Sequence, residues 1–432
     1  MSRFVLRADI AQFFPSIYTH SIGWAFHSKA QCKANRGNSL LGNLIDTHVR
    51  NMQDGQTSGI PIGQDISRII AEVILGRVDE EVCRKHKKLV GIRCIDDYEF
   101  GFRNAGDADK VQTTLRQELE AYELNLNPLK SGISPLPQFL IDQWDSELRN
   151  HLFRRSISVA DENDHQLHDW NEFSWGEGLQ AQALLNFFNK AIELQREFPQ
   201  EGVLRFALRR LRDAKIHPDA WVLYQDFILQ SAMIDPGTTK HVVFNLLKAK
   251  YVDEHDIDSK KLTTLFSILI SENVKFAHHS EVAHSLWGSL LFDLKLPKAL
   301  TKYLNLISDS ATGCLALHCL DSGRFKGTPQ FDELKDQIKN QDLYGENWLF
   351  IYEAAAHGWL DSSLFDSVLR QDPCLGHLHA QDVSFYKESS LTELKDRLTQ
   401  RTEDEEWEED LEDEEGSDID DDFDFWYLND KD

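Results

Sequence analysis

The spacing of apolar residues divides the chain into a first part that mixes strands with helices and a second part that is helical. In the first part, short runs of β-branched and aromatic residues predict strands at 3–10, 89–95 and 98–103, and a strand–turn–strand at 124–133. Apolar residues spaced three and four apart predict helices between them, at 19–33, at 40–56, in the second half of 58–75 and at 107–122, and a further helix-like stretch runs to about residue 88. This pattern predicts an α+β domain over residues 1–145.

From about residue 140 the strand signals fade and amphipathic helices succeed one another. They are predicted at 179–197, 203–214, 220–233, 240–248, 259–272, 281–293, 298–306, 311–320, 331–339, 348–356 and 364–370. No crisp sequence repeat is visible, but helix pairs of about 40 residues are typical of a HEAT-like solenoid. An irregular helical bundle is the alternative. We therefore predict an α-helical repeat domain at 146–400.

The net charge of −26 lies mostly in the last 30 residues. Residues 403–432 contain 18 acidic residues and one lysine, so the rest of the chain carries about −9. Residues 1–140, with 17 Lys or Arg and 16 Asp or Glu, are almost neutral. Nucleic-acid-binding proteins are typically basic, so a role with nucleic acid must rest on a specific site here.

The acidic composition predicts a disordered tail at 401–432. Its aromatic residues are a docking motif or simply solvated, and its charge could mimic nucleic acid or occupy a basic groove. These residues are Phe423, Phe425, Trp426 and Tyr427.

The chain has the composition of a cytoplasmic protein with no membrane partner. No apolar run reaches the roughly 18 residues of a membrane span, and the first residues do not resemble a signal peptide. Six cysteines in 432 residues predict reduced thiols rather than a disulfide framework.

Two adjacent aspartates, Asp96 and Asp97, stand between two predicted strands. Adjacent carboxylates repel each other unless a cation lies between them, and hard oxygen ligands suit Mg²⁺. An exposed Asp-Asp turn is the alternative. Asp9, at the end of the first strand, would be costly to bury without a partner, and its alternative role is to cap a helix.

Glycine and proline punctuate the segment before the third helix, which carries an apolar stripe of Ile66, Ile69, Ile70, Val73 and Ile74. Glycines there allow the backbone to approach a ligand closely, although an ordinary loop-to-helix junction would look similar. Lys130 follows a turn and, taken alone, is typical of a surface lysine.

Together these features resemble the palm of a reverse transcriptase, an antiparallel sheet with helices. Residues 7–18 resemble its first motif, in which an aspartate precedes two aromatic residues. Residues 58–75 resemble its Gly-x-Pro-x-Gly turn and helix, 94–97 its x-x-Asp-Asp motif, and 126–131 its Leu-Asn-x-x-Lys motif. Four motifs in order within about 130 residues are a specific match.

The residues within these motifs are similar to those of the bacterial abortive-infection and defence-associated reverse transcriptases. That group joins the palm to a C-terminal α-helical repeat domain. The resemblance implies phage defence by an RNA-directed DNA polymerase, with dNTPs and an RNA or DNA template-primer as partners. Synthesis could also be untemplated or primed on a protein hydroxyl.

The resemblance also implies roles for individual residues. Asp9, Asp96 and Asp97 would hold two Mg²⁺ ions, or Mn²⁺, while Lys130 protonates or neutralises the pyrophosphate leaving group. Phe14 would stack under the sugar and exclude a 2′-hydroxyl. The template and nascent base pair would lie against Gly59, Pro61, Gly63 and Gln64.

Three departures from the family pattern matter. Cys94 replaces an aromatic residue before the aspartates, and Gln64, Asp65 and Arg68 replace Gly and Pro often found in the turn. The chain also begins almost at the first motif, so we expect the basic fingers segment that grips the triphosphate to be missing. Either the start is misplaced, the gene is truncated, or a partner chain or a homo-oligomer supplies that segment.

Two other functions are compatible with the sequence. One is a catalytically incomplete palm that serves as a scaffold in a defence assembly. The other is a zinc site in the helical part, built from Cys and His residues with suggestive local spacing. These residues are Cys314, His318, Cys319, Cys374, His377 and His379.

Overall fold

The computed structural model of the chain describes residues 2–137, 142–151, 181–199, 201–212, 214–327, 347–359 and 372–400. These residues form two compact units that divide near residue 140. The first unit combines a small antiparallel sheet with helices and the second contains helices, so the fold is α+β. The predicted helices at 331–339 and 364–370 and the tail at 401–432 lie outside the described residues.

A four-stranded antiparallel sheet organises the first unit, in the order β2–β3–β1–β4. The strands are β1 (Phe4–Asp9), β2 (Gly91–Cys94), β3 (Asp97–Phe102) and β4 (Gly132–Pro135). They confirm the strands expected at 3–10, 89–95 and 98–103; the first two are shorter than predicted, and the third begins and ends one residue earlier. Of the two strands expected within 124–133, only the second forms. In place of the first, Leu126 makes an isolated β-bridge to Ile10.

The two faces of the sheet have opposite character, as strand alternation requires. Tyr98 and Phe100 of β3 lie on the same face as Ala8 and Leu6 of β1, and all four are buried in the core. The opposite face is mainly polar, although Val5 on that face is also buried. The core of the first unit thus packs mainly against one face of the sheet.

The helices of the first unit are α1 (Phe13–Ser16), α2 (His20–Phe26), α3 (Lys29–Ala34), α4 (Leu41–Asn51), α5 (Asp65–Lys85) and α6 (Ala105–Glu120). A single helix at 19–33 was the wrong prediction. The helix stops at His27, and Ser28 caps a new one by accepting a hydrogen bond from the Gln31 amide at 3.2 Å.

The apolar stripe of α5 does not coincide with its buried face. Ile70 and Ile74 are buried, but Ile66 and Ile69 at the start of the helix are exposed. The buried face continues instead through Leu75. Burial in the first turns of α5 is therefore decided by what packs there, which periodicity alone cannot show.

The second unit contains α7 (Gln143–Arg149), α8 (Ala181–Glu197), α9 (Val203–Arg212), α10 (Trp221–Ile234), α11 (Thr239–Tyr251), α12 (Ser259–Asn273), α13 (His279–Leu291), α14 (Thr301–Leu304), α15 (Ser310–Asp321), α16 (Trp348–Ala356), α17 (Pro373–Ala380) and α18 (Ser389–Gln400). A continuous apolar core joins these helices. The sequence pattern missed α7, α17 and α18. The HEAT-like repeat stays a prediction, and an irregular helical bundle stays its alternative.

Two general features accompany this fold. All six cysteines are free, and their redox state stays a prediction. Among the described residues, no helix has both the length and the apolar character that crossing a membrane requires.

Candidate active site

The tip of the β2–β3 hairpin presents the adjacent aspartates. Cys94 pairs directly with Asp97, so Ile95 and Asp96 form a two-residue turn. Such turns need a positive φ at their first residue, and Ile95 adopts φ 50°. A β-branched residue in this conformation is strained by roughly 1–3 kcal/mol. The hairpin thus holds Asp96 and Asp97 on a strained tip, which is common at functional sites.

Strand register brings Asp9 to this hairpin. Asp9 and Asp97 are the last directly opposed pair of the β1–β3 ladder, and opposed residues point to the same face of a sheet. Asp9 is buried, with 8% of its surface exposed, whereas Asp97 is exposed. Next to them on this face, Arg7 and Glu99 form a cross-strand ion pair at 3.2 Å. Two carboxylates therefore meet at the edge of the polar face.

The loop before β4 is fastened to the end of β1. The Asn127 amide donates to the Asp9 carbonyl at 2.8 Å, and the Asp9 amide donates to the Ser131 hydroxyl at 3.1 Å. The Asn127 side chain accepts from the Leu129 amide at 3.1 Å, which closes the turn. As a result, Lys130 Nζ lies 3.6 Å from a carboxylate oxygen of Asp9.

Burial and mutual repulsion act on the two hairpin carboxylates. Burial is the main cause that raises the pKa of Asp96, and the Asp97 and Asp9 charges add to it. Partial desolvation, followed by the Asp9 carboxylate, raises the pKa of Asp97, although much of that residue is exposed. The Lys130 ammonium opposes both shifts. The site therefore has an excess of negative charge that one lysine offsets only in part.

The glycine-proline turn packs against α1. The Gly59 amide donates to the Ile17 carbonyl at 2.8 Å, and the Ile60 amide donates to the Phe14 carbonyl at 3.0 Å. Gly59 has φ 81°, and a Cβ there would lie 3.0 Å from the Pro15 carbonyl oxygen. Glycine is thus required at this position by both conformation and space.

The predicted substrate-contacting residues occupy this turn and the helix it touches. Phe14 is half-buried beside Phe13, with ring centroids 5.1 Å apart. In the turn, Pro61 and Gln64 are exposed, and Gly63 has φ 91°. The roles of these residues in substrate binding stay predictions.

The carboxylate cluster offers the kind of donor that the divalent cations implied by the resemblance bind. Its donors are hard oxygens with excess negative charge, which suits Mg²⁺ or Mn²⁺. However, the described residues include no preformed group of three or more acidic, His or Cys side chains that could hold a metal ion. The residues therefore fit an ion that takes one or two carboxylates and completes its shell with water and substrate phosphates.

Sequence reasoning missed Asn127 and Ser131, which position the loop that carries Lys130. The Asn in the Leu-Asn-x-x-Lys stretch was the available signal, since Asn side chains commonly close turns.

The residues of the alternative zinc site are placed unfavourably for a metal. Cys314 and Cys319 are buried, and burial raises the pKa of both thiols, which opposes the thiolate form that zinc binds. His318 Nδ1 instead lies 2.7 Å from the Tyr386 hydroxyl. Cys374 is exposed.

Comparison with known proteins adds no relative to this picture. Neither the scan against protein-family models nor the search of curated proteins gave a match.

Proposed function

We propose that the first unit is the palm of an RNA-directed DNA polymerase of the phage-defence type. The observation that supports this most is the register that opposes Asp9 to Asp97, beside Asp96 and within reach of Lys130. The resemblance of the four sequence motifs supplies the reaction class, and the defence role rests on that resemblance alone. The substrates would be dNTPs and an RNA or DNA template-primer.

The chain's own groups would share the work of nucleotidyl transfer. Divalent cations held there would supply the Lewis-acid chemistry that activates a 3′-hydroxyl and neutralises a triphosphate. Asp9 and Asp97 would fix their position from two strands of a rigid sheet, with Asp96 at the hairpin tip. The exposed ammonium of Lys130 would neutralise or protonate the departing pyrophosphate.

Primer extension tests the reaction class. The full chain is incubated with Mg²⁺, labelled dNTPs and a primer on an RNA template, on a DNA template or without template. Incorporation that requires Mg²⁺ supports the proposal, and the three arms define the template. No incorporation in any arm with Mg²⁺ or Mn²⁺ would overturn it.

A scaffold is the second candidate, favoured by the lack of a preformed three-ligand metal group among the described residues. Exposed apolar residues in the turn before α5 and in its first turns also suit contact with a partner; they are Ile62, Ile66 and Ile69. A scaffold would lack nucleotide incorporation and would retain assembly when Asp97 is replaced by Asn.

A further inference from the structure

A groove of about 830 Å³, lined by both polar and apolar residues, lies within the second unit, between α12 and the segment around α14. Its volume falls in the range of roughly 300–1,000 Å³ typical of ligand-binding clefts. Four lysines line it, in a chain whose overall charge is strongly negative. They are Lys260, Lys295, Lys302 and Lys326.

The acidic residue in the groove does not cancel these charges. Asp293 is already paired with Arg324 at 2.6 Å and with Lys395 at 3.6 Å. Lys260, Lys302 and Lys326 are exposed. The groove therefore presents cationic donors to an anionic ligand.

The side of the groove formed by α12 presents hydrogen-bond acceptors, the hydroxyl oxygens of its Ser and Thr residues. Its hydroxyls donate to carbonyls of the same helix, for example Thr263 to Ser259 at 2.6 Å and Ser267 to Thr263 at 2.6 Å. A hydroxyl whose proton is used in this way offers only its lone pairs to a ligand. Anions such as sulfate have no donors for this side of the groove, whereas nucleobases carry N–H donors, the N3–H of thymine among them.

An aromatic ring completes the groove. Tyr303 is half-buried, and Lys302 Nζ and Lys275 Nζ lie 4.7 Å and 5.2 Å from its ring centroid. Lysines beside an aromatic face are the combination that binds the backbone and bases of single strands.

We propose that this groove binds single-stranded nucleic acid. Its lysines contact phosphates, its α12 hydroxyls accept from bases or sugars, and Tyr303 provides a stacking surface. The proposal does not depend on polymerase activity in the first unit.

The test is fluorescence anisotropy of the full chain with a fluorescein-labelled 20-residue oligothymidylate, measured across several salt concentrations. In Lys260→Gln/Lys302→Gln/Lys326→Gln, we expect affinity at 0.1 M salt to fall about tenfold or more. The slope of log K against log salt should shrink by about 2, because each lost phosphate contact to a single strand removes about 0.7. Exposed lysines outside the groove provide a matched control, Lys33→Gln/Lys88→Gln/Lys215→Gln, which should bind like wild type.

Equal affinity and slope in the groove variant and wild type would overturn the proposal. The acidic segment 403–432 is the rival occupant. Carbodiimide cross-links between the groove lysines and acidic residues of that segment, together with equal oligothymidylate binding by the groove variant and wild type, would assign the groove to the tail. That result would also overturn the proposal.

Discussion

Asp9 and Asp97 stand 88 positions apart in the sequence but directly opposite each other in the sheet. The sequence predicted which residues belong to the candidate site, because the motifs that contain them resemble those of reverse transcriptases. These residues are Asp9, Asp96, Asp97 and Lys130. The contacts that position them could not. The Ser131 hydroxyl bonds to the Asp9 amide only once the turn has its final backbone conformation.

Lys130 gives the first prediction at the residue scale. Its side chain is 69% exposed and 3.6 Å from Asp9, so Lys130→Gln should leave the fold intact. Loss of its charge and proton should lower the rate of single-nucleotide incorporation about 10²-fold. Rapid-quench kinetics measures this rate.

Lys110→Gln is the matched control, because Lys110 is also exposed and paired with an aspartate, Asp107, at 3.0 Å. It should incorporate nucleotides like wild type. If Lys130→Gln did so as well, Lys130 would be an ordinary surface lysine.

At the scale of elements, periodicity located the strands and most helices but not where they break or which side they bury. The interruption between α2 and α3 depends on a cap at Ser28, which sits inside an otherwise helical pattern. The exposure of Ile66 and Ile69 depends on what packs against the start of α5. Both are tertiary effects that a local pattern does not contain.

The turn that packs against α1 provides a second prediction. Gly59→Ala must place a Cβ 3.0 Å from the Pro15 carbonyl oxygen at φ 81°. We expect a loss of about 1–3 kcal/mol in the stability of the first unit and weaker nucleotide binding. Urea unfolding followed by limited proteolysis measures the stability.

Gly55→Ala separates conformation from space. Gly55 has φ 76° but no atom within 4 Å of the added Cβ, so only the conformational strain applies. It should destabilise less than Gly59→Ala. Equal losses in the two variants would contradict the close approach to α1.

In the second unit, the buried carboxylate of Glu353 forms hydrogen bonds with the segment after α17. Glu353 is fully buried and accepts hydrogen bonds from the Phe385 amide at 2.7 Å and the Ser384 hydroxyl at 2.9 Å. His357 Nε2 lies 3.2 Å from its carboxylate, and this contact, followed by the Glu388 charge, raises the pKa of His357.

This arrangement predicts a pH dependence. Because the folded pKa of His357 is raised, its stabilising charge is fully present below the ordinary value of 6.5 and is lost as pH rises through the folded pKa. His357→Gln should therefore destabilise the segment by about 1–2 kcal/mol at pH 5.5 and by less at pH 9. Hydrogen exchange of the Phe385 amide reports this local stability.

His48→Gln, at an exposed histidine of α4, should leave that exchange unchanged at both pH values. A His357→Gln effect of the same size at pH 5.5 and pH 9 would contradict a charged histidine at Glu353.

At the scale of the whole molecule, the sequence predicted the change from mixed α+β structure to helices, because strand signals stop near residue 140. It did not predict the lysine-lined groove of the second unit. Its lysines come from segments up to 66 residues apart, from Lys260 to Lys326, and only the packing of the helices collects them.

The central claim is that opposed carboxylates on β1 and β3 carry metal-dependent nucleotidyl transfer. Incorporation of labelled dNTPs by the full chain with Mg²⁺ tests it most directly, comparing wild type with Asp9→Asn, Asp97→Asn and the exposed control Asp109→Asn. We predict a loss of at least about 10³-fold in the first two variants, with wild-type circular dichroism, and none in the control. Wild-type incorporation by either Asp9→Asn or Asp97→Asn would contradict the account.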